Sequence, residues 1–270
     1  MTRVKKASPF ALLSTGHGSM IVSRNDYHMV GDNLGVGVGW QLFSTNQFDA
    51  DEVDTALALL RLRRTHFGDG VMALDCGANI GVHTIEWANL MTRWGRVFAI
   101  EAQERIYYAL AGNIALNNCF NASAMHAAVG ARSGATLMPS LNYGKPASLG
   151  SLEIKPSANS SFIGQAVDHQ AGPKVQVNLV ALDDFGFPRL DFIKLDIEGM
   201  ELEALEGARR TIDTCRPILL VEHIKAKPGA LQPWLEARGY HCFQTPMNIL
   251  AVHQDDPSLG SISPTGELSA

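Results

Sequence analysis

The stretch ALDCGANIGVHT, residues 73–84, sets an acid, Asp75, ahead of two glycines, Gly77 and Gly81, with Asn79 between them. An apolar run ends at the acid and a run able to form a helix follows it. That is the pattern of a strand, a tight turn and a helix N-terminus, at which many proteins hold a nucleotide. A dinucleotide loop reads G-x-G-x-x-G, and its middle glycine lets a pyrophosphate approach the helix. With Gly77 in that middle place, Asp75 takes the first position and Ile80 the last. A carboxylate there repels a pyrophosphate and suits a ligand that brings a cation. The ammonium and sulfonium groups of S-adenosylmethionine, beside its adenosine, meet that description. Gly77 and Gly81 permit close backbone approach, and Asn79 tolerates an unusual turn conformation.

Three further groups of residues have chemistry in them. RVFAIEA ends an apolar run on Glu101, and an acid about 20 residues beyond such a turn accepts hydrogen bonds from ribose hydroxyls. DFIKLDIEGMELE carries Asp191, Asp196, Glu198, Glu201 and Glu203. Alternation along a strand puts Lys194, Asp196 and Glu198 on one face, with Asp196 near the carboxyl end where a reacting group is presented. Asp196 and Glu198 are therefore catalytic candidates, whereas Glu201 suits a helix N-terminus through the dipole. PILLVEH ends on Glu222 and His223, which face opposite ways, so at most one points at a substrate. His223 combines a strand end with nearby acids and is the candidate general base. The spacing permits a divalent metal on Asp196 with Glu198 or Glu222 but does not demand one, and none is expected. His83, in the first turn after the glycine loop, is placed to shape the same pocket.

The elements that position these residues follow from periodicity. From residue 71, apolar runs (VMALD, RVFAIEA, SAMHAAVG, LDFIKLDIEG, RPILLVEH) alternate with helical patterns such as RIYYALAGNIALNN and ELEALEGARRTIDTC. This implies an α/β fold with a mainly parallel, doubly wound sheet. The stretch Ala131–Pro188 breaks the rhythm after the third strand with a hairpin and an irregular loop, as a lid or binding loop does. The expected organisation is an N-terminal extension over 1–70, the main domain over 71–253 and a flexible polar tail over 254–270. Within the extension, residues 1 to about 19 read as loosely ordered, MIVS and GVGVGWQLF as short strands, and residues 49–68 as a helix. The RLRR run, Arg61 to Arg64, reads as that helix's solvated C-terminus.

Composition narrows the partners. A net charge of −5 gives no bulk attraction to phosphate backbones, so nucleic acid is not expected. The apolar run PFALL is too short for a signal peptide's core, and no later run approaches a membrane span. The four cysteines are scattered, without metal-ligand spacing. Together these features lead to the expectation of a cytoplasmic protein with reduced thiols.

ALDCGANIGVHT, VFAIEA, NIALNN, LDFIKLDIEGMELEALEGA and PILLVE, in this order, resemble the motif series of the FkbM-type S-adenosylmethionine-dependent methyltransferases over about residues 71–252. The resemblance implies a class I, Rossmann-like methyltransferase fold and transfer to an oxygen, commonly a hydroxyl of a sugar, glycan or natural product. It carries Asp75, Gly77, Asn79, Gly81 and Glu101 over as cofactor residues. One departure is that relatives often have proline after the second strand's acid, whereas this chain reads EAQ, a change in the turn that should not alter the ribose contact. Two other readings stand beside this one: a nicotinamide-dependent oxidoreductase, against which the missing G-x-G-x-x-G counts, and a non-catalytic protein that binds S-adenosylmethionine or a carbohydrate. Acceptor identity and oligomeric state are left open.

Overall fold

A computed structural model describes residues 8–31, 34–156, 159–263 and 266. The N-terminal part holds a hairpin of β1 (Phe10–Thr15) and β2 (Gly18–Ser23), a second of β3 (His28–Val30) and β4 (Leu34–Val36), and helices α1 (Val38–Thr45) and α2 (Ala50–Phe67). The alternating part comprises β5 (Val71–Cys76), α3 (Val82–Leu90), β6 (Gly95–Glu101), α4 (Glu104–Leu116) and β7 (Ala122–His126). After β8 (Ala128–Val129), β9 (Gly134–Pro139) and β10 (Lys174–Val180), it resumes with β11 (Phe192–Leu195), α5 (Glu201–Gly207), α6 (Arg209–Cys215) and β12 (Ile218–Glu222). Helix α7 (Leu231–Glu236), β13 (Tyr240–Gln244) and β14 (Asn248–His253) complete the order.

Seven strands form the central sheet in the order β13-β14-β12-β11-β5-β6-β7. The pairs among β12, β11, β5, β6 and β7 are parallel, and only β14 runs against its two neighbours. The fold is thus the expected α/β one, with a mainly parallel, doubly wound sheet. β11 and β12 are buried at every position, as strands covered on both faces must be, and their unbroken apolar runs follow from that. Among the described residues no helix is long and apolar enough to cross a membrane.

Four expectations for the flanks need correction. Residues 10–15 are not loose: β1 pairs with β2 from Phe10↔Ser23 to Thr15↔Gly18, and fully buried Met20 and Val22 anchor the hairpin. Residues 1–7 lie outside the described residues. GVGVGW is only half strand, because at Gly37 (φ 139°) the chain turns into α1. The N–H of Gly39 donates to the buried Asp26 carboxylate at 3.0 Å, an acceptor for the helix start supplied from another segment. The polar tail also folds in part: Asp256 accepts the Ser258 N–H at 2.8 Å and begins a 3₁₀ turn over Pro257–Ser261. Finally, RLRR is not uniformly solvated. Arg64 is exposed, but Arg63 is buried and bridges Asp191 (3.1 Å) and Asp256, joining α2 to the sheet and to that turn.

The stretch after the third strand does hold a hairpin. β9 pairs antiparallel with β10, which also pairs parallel with β8. Between them, the described residues of 140–173 are irregular apart from one 3₁₀ turn, Leu149–Ser151.

Candidate active site

A cavity of about 260 Å³ opens at the carboxyl ends of β5, β6, β11 and β12. There strand order reverses between β5 and β11, where open α/β sheets bind their ligands. Its walls include Asp75, Gly77, Asn79, Glu101, Asp196 and Glu198, so six residues singled out in the sequence meet in one place.

The glycine loop leaves β5 through a turn that few side chains allow. Gly77 has φ +79°, and its Cα faces the Asp196 carbonyl so closely that an added Cβ would stand 1.8 Å from that oxygen. The close approach foreseen for Gly77 is therefore, in the protein itself, an approach to the next strand's loop. Asn79 is left-handed at φ 51°, as its residue type allows, and its Oδ1 accepts the Ile80 N–H at 2.8 Å. Gly81 is the N-cap of α3 at φ 94°; it packs toward Leu110 of α4 and is not on the cavity wall. Asp75 is buried, accepts the Thr84 hydroxyl at 2.6 Å through Oδ2, and keeps a buried Oδ1 without a hydrogen-bond partner among the described residues.

Glu101 is fixed at the end of β6 by two backbone donors, Gln103 N–H at 2.7 Å and Asn79 N–H at 3.0 Å. Burial pushes its pKa up to about 7, against the pull of those N–H groups and with a smaller push from the Asp75 charge. Gln103, which sequence reasoning gave no role, ties this corner to the long insertion. Its Nε2 donates to the Leu149 carbonyl at 2.7 Å, and its Oε1 accepts from the Tyr143 hydroxyl at 3.2 Å. From the other side, Asp26 accepts the Leu149 N–H at 2.8 Å. The insertion and the GVGVGW segment are thus bolted to one buried carboxylate, and Val36, Gly37 and Val38 line the cavity beside Ser148 and Leu152. Contacts between distant segments build this wall, so no local pattern in the sequence marked it.

The acidic end is built by a loop. β11 stops at Leu195, so strand alternation does not carry Asp196 and Glu198 to a common face as expected. Instead Glu198 adopts φ 59° before Gly199 at φ 97°, and Glu201 closes the turn by accepting the N–H groups of Ile197 and Gly199, each at 3.1 Å. Glu201 thus works at a helix start, as its position suggested. Lys194 is buried and donates to Asp196 at 2.6 Å, with Glu52 at 3.8 Å. Burial works against its ammonium, but the charges of Asp196, Glu52 and Asp75 outweigh that and push its pKa up. Lys225, also buried, pairs with Glu198 and donates to the Ser151 carbonyl of the insertion at 2.9 Å. Burial, and then the charge of Asp196, raise the Glu198 pKa against the opposing Lys225.

Of the adjacent pair at the end of β12, Glu222 lines the cavity and His223 does not. His223 lies 3.0 Å, through Nε2, from the Thr245 carbonyl. The alternation argument gave the right count and the other residue. His83 lines the cavity as expected, 3.3 Å from Glu52.

Residues 75–242, more than half of the chain, match the family described as Methyltransferase FkbM domain. Among solved structures, the chain is similar to a methyltransferase FkbM from Methylobacillus flagellatus KT (19% identity, 71% of this chain and 48% of that one, TM-score 0.48). It therefore spans about half the length of that protein. It is also similar to a precorrin-6y C5,15-methyltransferase from Geobacter metallireducens GS-15 (18% identity, 77% and 90% coverage, TM-score 0.44). No curated protein matches the sequence significantly. On the extent of the family match, the chain belongs to the FkbM methyltransferase family.

Proposed function

We propose that the chain transfers the methyl group of S-adenosylmethionine to a hydroxyl of a sugar, glycan or natural-product acceptor. The observation that carries the cofactor part is Asp75, a buried carboxylate on the cavity wall whose Oδ1 has no partner among the described residues. Such an oxygen is costly to leave alone and is satisfied by a cationic donor. The ammonium of the cofactor's amino-acid end fits it, and a pyrophosphate does not. Glu101 spends one acceptor site of each oxygen on a loop N–H, and a carboxylate has further lone pairs for the two ribose hydroxyls. Gly77 and Asn79 shape the turn between these acids. S-adenosylmethionine supplies an electrophilic methyl group, while the chain's part is to hold it in line with an acceptor oxygen. Such positioning is worth roughly 7–11 kcal/mol of barrier.

On the acceptor side, Asp196 is the residue placed to take the hydroxyl proton. Its side chain is 36% exposed and faces the cavity from the end of β11. Glu198 supports it from the same loop. His223, proposed from sequence as the base, is offered no such position by its contact with Thr245. The experiment is methyl-labelled S-adenosylmethionine incubated with the protein and fractionated glycan and metabolite extracts, alongside calorimetry with S-adenosylhomocysteine and NAD. S-adenosylhomocysteine should bind and NAD should not; the reverse would end this reading. Asp196→Asn should keep cofactor affinity and lower methyl transfer by at least about 10²-fold, the lower range for a positioned base. Transfer at the wild-type rate would remove Asp196 from the mechanism.

Glu101 gives the cofactor site a pH dependence of defined sign. Its ligand-free pKa of about 7 means that it carries a proton at pH 6, whereas ribose hydroxyls bind best to the carboxylate. Affinity for S-adenosylhomocysteine should therefore rise with pH through about 7, by up to tenfold per unit below it. The same raised pKa makes the unliganded protein less stable as pH climbs from about 4.5, the unfolded value, to 7, because the folded state holds the proton longer. Glu101→Gln should flatten both profiles and weaken binding by about 1.5–3 kcal/mol. A pH-independent wild-type affinity would show that Glu101 is not the ribose ligand.

A further inference from the structure

The acids at the ends of β11 and β12 do more than surround an acceptor. Asp196, Glu198 and Glu222 each offer a carboxylate oxygen such that all three lie within 4.8 Å of one another. Acidic clusters are common on proteins, but this one contains a group that a finished apo site would not leave as it is. Glu222 is only 6% exposed, it lines the cavity, and its Oε2 is buried without a hydrogen-bond partner among the described residues. A buried, unpaired carboxylate oxygen costs several kcal/mol unless a cation or donor meets it.

The neighbouring lysines do not meet that need. Lys194 is engaged by Asp196 and Glu52, and Lys225 by Glu198, Glu153 and the Ser151 carbonyl. Each lysine takes one oxygen of its carboxylate, and a carboxylate has a second to offer. Neither lysine reaches Glu222, whose Oε2 stays without a partner among the described residues. We infer that Asp196, Glu198 and Glu222 form a binding site for one hard divalent cation beside the methyl-transfer cavity.

The size of the cluster selects the ion class. Two oxygens bound at 2.3–2.6 Å to one ion are at most about 4.6–5.2 Å apart, so three oxygens within 4.8 Å of one another can close on Ca²⁺ by small side-chain movements. For Mg²⁺, bound at 2.0–2.1 Å, the limit is about 4.2 Å, and the side chains must close by roughly half an ångström. All-oxygen ligands also suit Mn²⁺, which serves as a spectroscopic probe. The three side chains come from the ends of two adjacent strands, and the Glu201 bonds to Ile197 and Gly199 hold the loop between Asp196 and α5. An acceptor with adjacent hydroxyls would complete the ion's coordination. This use of the site rests on the methyltransferase reading, whereas the ion site itself does not.

The test is Mn²⁺ titration of the full chain, reading free ion by its paramagnetic resonance signal. One Mn²⁺ per chain should be retained at about 10⁻⁴ M or below, within the range of oxygen-ligand sites. Glu222→Gln should weaken retention at least about tenfold. Because Gln keeps the side chain's size and hydrogen-bonding capacity, that variant should melt in chelator close to wild type, while losing the rise in melting temperature that Mn²⁺ gives. Asp196→Asn should likewise lose the ion. Folded wild type that retains no Mn²⁺ at 1 mM, about the weak end of such sites, would overturn the site, as would retention unchanged in both variants. Calorimetry with S-adenosylhomocysteine in chelator, on the same preparations, tests the methyltransferase reading without any ion, so the two readings fail separately.

Discussion

Gly77→Ala should abolish cofactor binding and lower the stability of the whole protein. The new Cβ would stand 1.8 Å from the Asp196 carbonyl oxygen and 2.8 Å from its carbon, both backbone atoms. That backbone has little room to retreat, because the Asp196 N–H donates to the Cys76 carbonyl at 3.1 Å, in the residue before Gly77. Overpacking of this kind costs about 1–3 kcal/mol or more, and the left-handed φ of +79° adds roughly 1–2 kcal/mol for a residue with a side chain. Relief requires the β5 and β11 loops to part, which separates Asp75 from Asp196. Thermal melts and calorimetry check both effects. Gly81→Ala is the natural comparison: it carries the same left-handed strain, at φ +94°, but its Cβ would press on the Leu110 side chain, at 2.6 Å, which can turn aside, and not on backbone. A Gly77→Ala protein with wild-type melting and affinity would mean that the two loops are not packed as described.

Arg63→Met should be the most damaging change outside the cavity. It preserves apolar bulk but strands the Asp256 carboxylate, which keeps the Ser258 N–H, and removes one partner from Asp191. Asp191 still has Arg189 at 2.8 Å, so most of the loss falls at Asp256. Breaking a buried pair on one side costs about 3–5 kcal/mol, which for a chain of this size lowers the melting temperature by roughly 6–20 °C. Adding Asp256→Asn should recover part of the loss, because the orphaned charge goes with it. If the single variant melts within a degree of wild type, the bridge contributes nothing net.

These two residues also mark how far the sequence can be read. Gly77 was legible because its neighbours carry the reason: a strand before it, a helix after it and an acid at each side of the turn. Glu101 and the acids after β11 were legible in the same way, since the ends of parallel strands gather at one edge of a sheet. Arg63 was not legible. It differs from Arg64 in sequence only by one step around a helix, and what buries it is Asp191, 128 residues on. GVGVGW misled for a related reason, since the acceptor that starts its helix is Asp26, reached through a hairpin. At β12, alternation fixed that Glu222 and His223 diverge but not which way the strand's face turns. The sheet's register decides that, and register comes from every strand together.

The bridge from Arg63 to Asp256 spans 193 residues of chain, and this sets an order of events during synthesis. A ribosome adding 5–20 residues per second makes that length in about 10–40 s. For that interval the guanidinium has neither Asp191 nor Asp256 for most of the time, so burying α2 against the sheet is opposed. β14, which must slot between β12 and β13, arrives just as late. The edge of β12 that pairs with β14, and the Arg63 side of α2, therefore stay open until residues 248–256 emerge. Nascent chains stopped before residue 256 should be strong clients for chaperones, whereas chains released past it close on their own.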